Sequence, residues 1–128
     1  RAAYDYTLDW VKREFPKHGK YRDLALTDLA ECDREIHAAR LLTWEAAWKA
    51  DLGLENAKEA AICKAFAGRI SLEVCAKCLD ILGPLGMEGS LVEKWYRDVK
   101  VFDIFEGTNE IQHLVIARRI YEPFGIRV

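Results

Sequence analysis

Residues 55–82 read ENAKEAAICKAFAGRISLEVCAKCLDIL. Ala57, Ala61, Ala65, Gly68, Leu72, Cys75, Leu79 and Leu82 recur there at three- and four-residue spacing, which gathers them on one face of a helix. The first half of that face is small, so a neighbouring helix can come close. Upstream, Leu26, Leu29, Cys32, Ile36, Ala39, Thr43, Ala46 and Ala50 make a second stripe and predict a helix over 23–51, ended by Leu52-Gly53. Each segment spans roughly 40 Å at the helical rise. Working outward, the spacing predicts a first helix over 2–14 that stops before Pro16 and Gly19. The run Gly83-Pro84-Leu85-Gly86-Met87-Glu88-Gly89 breaks the pattern. Ser90 with Glu93 forms a capping box for a shorter helix to Lys100. Thr108 caps a last helix to Tyr121, and Pro123 stops it. No strand pattern appears. Short connections make successive long helices antiparallel. The expected fold is all-α, an antiparallel up-down four-helix bundle, with 1–128 forming a single domain.

The formal net charge is −2 and no Lys/Arg cluster stands out, which argues against nucleic acid as a partner. No apolar run approaches the roughly 18 residues of a membrane span. The opening residues carry no targeting pattern and no initiator Met, so a fragment or processed product is expected. The four cysteines are read as structural thiols. Cys75 and Cys78 lie inside a helix rather than at its N-terminus, and no second close pair completes a zinc set, so no metal site is expected. Free thiols point to the cytoplasm or another reducing compartment. His18, His37 and His113 are isolated and read as surface or helix histidines. Trp44 and Trp48, four apart, share a face and are assigned to the core or a subunit interface. Arg118 and Arg119 complement the dipole of the last helix.

The chemistry concentrates at 101–112. Val101, Phe102, Ile104 and Phe105 precede Glu106, and Gly107 separates that acid from the helix capped by Thr108. Burial raises a carboxylate's pKa and a helix N-terminus lowers it. Gly107 permits backbone geometry closed to other residues. Free N–H groups after Thr108 are suited to an anionic or polar cofactor atom. Spacing alone leaves two readings of Glu106: a general base in apolar surroundings, or a solvated loop glutamate before a capped helix.

Residues Asp103-Ile104-Phe105-Glu106-Gly107-Thr108-Asn109-Glu110-Ile111-Gln112 closely resemble the signature of the flavin-dependent acyl-CoA dehydrogenases. Leu82-Gly83-Pro84-Leu85-Gly86-Met87 resembles that family's glycine loop, and Glu93-Lys94-Trp95-Tyr96-Arg97-Asp98 the helix after it. Ala38-Ala39-Arg40-Leu41-Leu42 is similar to its second long helix. The resemblance covers nearly the whole chain in order. It implies the C-terminal four-helix domain of an enzyme that binds FAD and oxidises acyl-CoA thioesters to α,β-enoyl-CoA. It further implies an N-terminal helical domain and a middle β domain upstream. Glu106 is then the base for the α-proton, Gly107 lies beside the thioester, and Thr108, Asn109 and Glu110 meet FAD. A homo- or hetero-oligomer, dimer or tetramer, and an electron-transfer flavoprotein are the implied partners. The chain alone is expected to hold FAD weakly or not at all and to be inactive.

The sequence also departs from the family pattern. Where most members have an arginine three residues before a Phe-Gly pair, this chain has Lys12, Phe15 and Pro16. Arg22-Asp23 replaces an aromatic-glutamine pair. Asp80 replaces a glutamine before the glycine loop, where Gly83-Pro84 replaces two glycines. Lysine meets a phosphate without a bidentate fork, the acids repel it, and proline removes an N–H donor. In the family these positions largely serve the FAD of a neighbouring subunit. Two expectations therefore stand side by side. One is an ordinary homomeric enzyme. The other is a divergent chain, either the base-bearing subunit of a heteromer or a noncatalytic oligomerisation module.

Overall fold

The computed structural model describes residues 1–15 and 19–126; the readings of Pro16 and His18 lie outside the described residues. Among the described residues six helices follow in order: α1 (Ala2–Glu14), α2 (Lys20–Asp51), α3 (Ala57–Leu82), α4 (Pro84–Met87), α5 (Leu91–Val99) and α6 (Asn109–Tyr121). Short 3-10 helices, Lys100–Asp103 and Glu122–Phe124, follow α5 and α6. Among the described residues there is no strand.

Helix α3 is the central rod: α1, α2, α4, α5, α6 and the first 3-10 helix all pack against it. Side-chain links set the register. Lys77 reaches Glu31, while Asn56 Nδ2 donates to Ala46 O at 3.0 Å, so α2 and α3 run antiparallel. Arg1 Nη1 meets Asp33 Oδ1 at 2.9 Å, which sets α1 antiparallel to α2. Arg119 Nη1 meets Glu55 Oε1 at 2.7 Å, and Lys64 reaches Gly107 O, so α6 runs antiparallel to α3. The chain just after α5 crosses α3 at Gly68. Thus α5 and α6 together form the fourth rod of the up-down bundle. That rod is broken midway, and the break contains Glu106.

Several boundaries differ from the sequence reading. The helix expected over 23–51 starts at Lys20, and α3 starts at Ala57. The glycine run carries a single helical turn with Pro84 at its first position, where a missing N–H costs nothing. Ser90 Oγ accepts from Glu93 N at 3.1 Å, but the Glu93 carboxylate binds Arg97 instead of returning to the cap, so half of the capping box forms. Pro123 lies within the terminal 3-10 helix.

The core also differs from the stripes. Leu26, Thr43 and Ala50 are exposed, while Ala25 is buried. Around α3, Ile70, Val74 and Cys78 are buried besides the predicted face, because helices surround its second half. Cys32, Cys75 and Cys78 are buried free thiols. The hydrogen bond between Cys32 and Cys78, with burial, pushes the Cys32 thiol up; burial does the same to Cys75. Trp44 and Trp48 remain 58% and 59% exposed, which removes the core option for that pair.

The Lys49–Glu59 pair ties α2 to α3 at 2.5 Å with both side chains mostly covered. The Lys49 ammonium holds the Glu59 carboxyl below the usual carboxylate range. A depressed folded-state pKa contributes stability above the unfolded value and loses it as pH falls through the folded one. Lys49→Met is therefore expected to lower the melting temperature at pH 7. The gap from the parent protein should close below about pH 4 in thermal melts across pH.

Candidate active site

The break in the fourth rod is shaped from α3. Lys64 and Gly68 lie one turn apart on the same face. A Cβ at Gly68 would stand 3.3 Å from Phe102 O, so the absent side chain lets the connection run against the helix. Lys64 Nζ donates to Phe102 O at 2.5 Å and to Gly107 O at 3.2 Å. Ile104 N and Phe105 N both donate to Val101 O at 3.0 Å, closing a tight turn between those two anchors.

Glu106 sits at φ 56°, the one non-glycine residue with positive φ among the described residues. Left-handed backbone costs an ordinary residue about 1–2 kcal/mol. Hydrogen bonds from a charged donor contribute about 1.5–3 kcal/mol each when shielded and less where water competes. Two from one half-buried ammonium are of the size needed to hold this turn. Gly107 follows at φ 101°, and its carbonyl also accepts from Gln112 Nε2 at 3.2 Å.

Thr108 Oγ1 caps α6 by accepting from Ile111 N at 3.5 Å. Glu110's own backbone N–H, and then the Thr108 hydroxyl, hold its carboxylate below the usual range. Much of the donor capacity expected for a cofactor is thus already used inside the turn. Asn109 Oδ1 remains buried without a partner. It borders a groove of about 310 Å³ between α3 and α6, lined in part by Phe66, Arg69 and His113.

Glu106 itself is exposed, as the reading of a solvated loop glutamate has it and not as the apolar surroundings of its neighbours suggest. Those neighbours are exposed too: Phe102 is 45%, Ile104 56% and Phe105 42% open. They leave an exposed apolar rim beside the acid in the chain and do not bury it, because the turn lies on the outside of the bundle.

The other sequence-predicted residues gather elsewhere. By the register above, the ends of α1 and α3 and the start of α2 lie at one end of the bundle. Lys12 is exposed and 3.7 Å from Asp9, and Arg22 Nη1 donates to Phe15 O at 3.2 Å. Asp23 and Asp80 are exposed, Gly83 turns the chain at φ 59°, and Pro84 starts α4. This end is displaced from Lys64 and Gly68 by roughly 20–27 Å along α3. Two separate groups therefore result: Glu106 to Glu110 at mid-rod, and Lys12, Arg22, Asp23, Asp80, Gly83 and Pro84 at the end. Lys64 was missed by the sequence reading, and Gly68 was read only as packing. Their four-residue spacing on the small face was the available signal.

The comparisons with known proteins agree with this architecture. A family profile described as "Acyl-CoA dehydrogenase, C-terminal domain" matches residues 1–121. The chain belongs to the acyl-CoA dehydrogenase family and corresponds to that family's C-terminal helical domain. It is 42% identical over 123 residues to the probable acyl-CoA dehydrogenase YngJ of Bacillus subtilis, covering 94% of this chain and 32% of that protein. It is 39% identical over 121 residues to the caffeyl-CoA reductase-Etf complex subunit CarC of Acetobacterium woodii, covering 91% and 32%. The solved butyryl-CoA dehydrogenase of Megasphaera elsdenii superposes with a TM-score of 0.85 at 30% identity, over 93% of this chain and 32% of that one. The chain spans about a third of the length of these relatives.

A Cβ at Gly107 would lie 2.6 Å from Gln112 Nε2, on top of a φ that side chains avoid. Gly107→Ala should cost about 1–3 kcal/mol and loosen the turn. Amide hydrogen exchange should read this as faster exchange over 104–108 with the middle of α3 unchanged.

Proposed function

We propose that residues 1–128 form the C-terminal domain of a longer FAD-dependent acyl-CoA dehydrogenase, with Glu106 removing the α-proton of an acyl-CoA thioester. The carrying observation is the combination at the rod break. Exposed Glu106 is held in left-handed backbone directly after exposed Phe102, Ile104 and Phe105. A rim of that kind suits closure by other parts of a full-length enzyme. Closure over bound substrate would exclude water and strengthen the acid's interactions. FAD, when bound, supplies the acceptor for the β-hydrogen as hydride.

In this reading Gly107 brings its backbone beside the thioester. Thr108 and Asn109 face the cofactor, and the unpartnered Asn109 Oδ1 offers an acceptor that fits a polar edge. Glu110 supports the turn through its own backbone and Thr108. The distant group around Lys12, Arg22 and Gly83 then meets the FAD of a neighbouring subunit, which its separation from Glu106 supports. The exposed Trp44 and Trp48 favour an oligomer. A relative named as part of an Etf complex supports an electron-transfer flavoprotein as redox partner. No helix among the described residues is long and apolar enough to cross a membrane.

In the full-length protein, Glu106→Gln is expected to slow flavin reduction by acyl-CoA about 10²–10⁴-fold while thioester binding persists. Turnover at the parent rate in stopped-flow absorbance would remove Glu106 from the reaction.

A second reading follows from Asp23 and Asp80, two exposed acids at the end assigned to a neighbour's cofactor. Their charge opposes phosphate there, as does the N–H missing at Pro84. The chain is then the base-bearing or noncatalytic member of a heteromer. Flavin content per chain separates the readings: one flavin per chain in a homomer overturns the second.

A further inference from the structure

We infer that Lys64 is a positioning residue for Glu106, an inference that rests on the reading of Glu106 as the base. Lys64 forms no ion pair among the described residues. Its ammonium instead donates to two backbone carbonyls, Phe102 O at 2.5 Å and Gly107 O at 3.2 Å. An ammonium has three donors and no acceptor, so one such group can gather two carbonyls that would otherwise diverge. These two carbonyls bracket the base, four residues before it and one after it. Gly68, one turn along α3, lets the same segment press against the helix.

This bracket explains how Glu106 keeps φ 56°. The direction of its Cα–Cβ bond is set by the peptides on either side, and Lys64 holds the outer ends of that stretch. Without the ammonium, Gly107 O keeps Gln112 Nε2, but Phe102 O loses the hydrogen bond that ties it to α3. The turn is then free to relax toward negative φ, which redirects the carboxylate. Lys64 touches neither substrate nor flavin in this account. It acts only through the backbone that aims the base, so its loss should appear in kcat rather than KM.

The test uses the flavin-loaded full-length enzyme. The probe is whichever of butyryl-, isovaleryl- and 3-phenylpropionyl-CoA the parent enzyme oxidises fastest. Lys64→Ala is expected to slow flavin reduction about 10- to 100-fold, the scale of a small misplacement of a reacting group. KM should stay within about threefold, and the kinetic isotope effect with α-deuterated substrate should grow. Propylammonium, which restores a mobile donor, should recover part of the rate, whereas tetramethylammonium at equal concentration should not. Amide exchange should quicken over 102–107 and stay unchanged over 70–79. Lys64→Arg should keep most of the rate. If Lys64→Ala does not fold with flavin, Lys64→Gln is measured by the same readouts.

Parent-like flavin reduction in Lys64→Ala, with Glu106→Gln inert, overturns the positioning role and leaves the base reading standing. Exchange accelerated throughout α3, with no recovery by propylammonium, reduces Lys64 to a stability residue and also overturns it. Active Glu106→Gln, or a parent enzyme that oxidises none of the three thioesters, removes the base reading and this inference together.

Discussion

Between α5 and α6 the chain crosses α3 at Gly68, where even a methyl group would press on Phe102 O at 3.3 Å. That close backbone approach is the constraint on which the candidate site depends. A bulkier residue at Gly68 would push the connection outward. Lys64 would then lose reach of Phe102 O, and the turn bearing Glu106 would lose its anchor. The small residues of α3 thus serve two ends. Ala61 and Ala65 are buried in the first half of the helix, and Gly68 admits the backbone of the broken rod.

The break divides the molecule in kind as well as in place. Around the second half of α3, α1, α2 and α5 cover the helix, and the buried thiols and aliphatic side chains lie there. Around the first half, α6 packs without a single fully buried residue of its own. Ile111, Leu114 and Ile120 stay between 44% and 49% exposed, and the Trp44–Trp48 face of α2 is open as well. A well-covered half gives the rod break a firm support, while the open half exposes apolar surface.

The two clusters of predicted site residues make sense only with this geometry. Along the chain, Asp80, Gly83 and Pro84 stand closer to Glu106 than Lys12 or Asp23 do. In space, antiparallel packing returns Lys12 and Asp23 to the end where α3 stops and leaves Glu106 at mid-rod. The positions read in the sequence as departing from the resembled pattern fall at the end cluster, whereas the stretch that carries the resemblance forms the turn around Glu106. A substitution at one cluster therefore need not disturb the other, because different turns of α3 support them.

Helix existence, order and caps were legible in the sequence because they are local. Apolar periodicity located α1, α2 and α3 to within three residues at each predicted end, and Ser90 and Thr108 marked two starts that their hydroxyls do cap. The resemblance carried by 103–112 located the family for the same reason: a short contiguous motif needs no folding to be read. Tertiary structure alone decided that α5 and α6 are two parts of one rod, that Glu106 lies exposed at φ 56°, and that Lys64 holds its turn. Those facts depend on contacts between residues about 40 apart in the chain, and neither periodicity nor local propensity encodes which carbonyl a distant ammonium will meet.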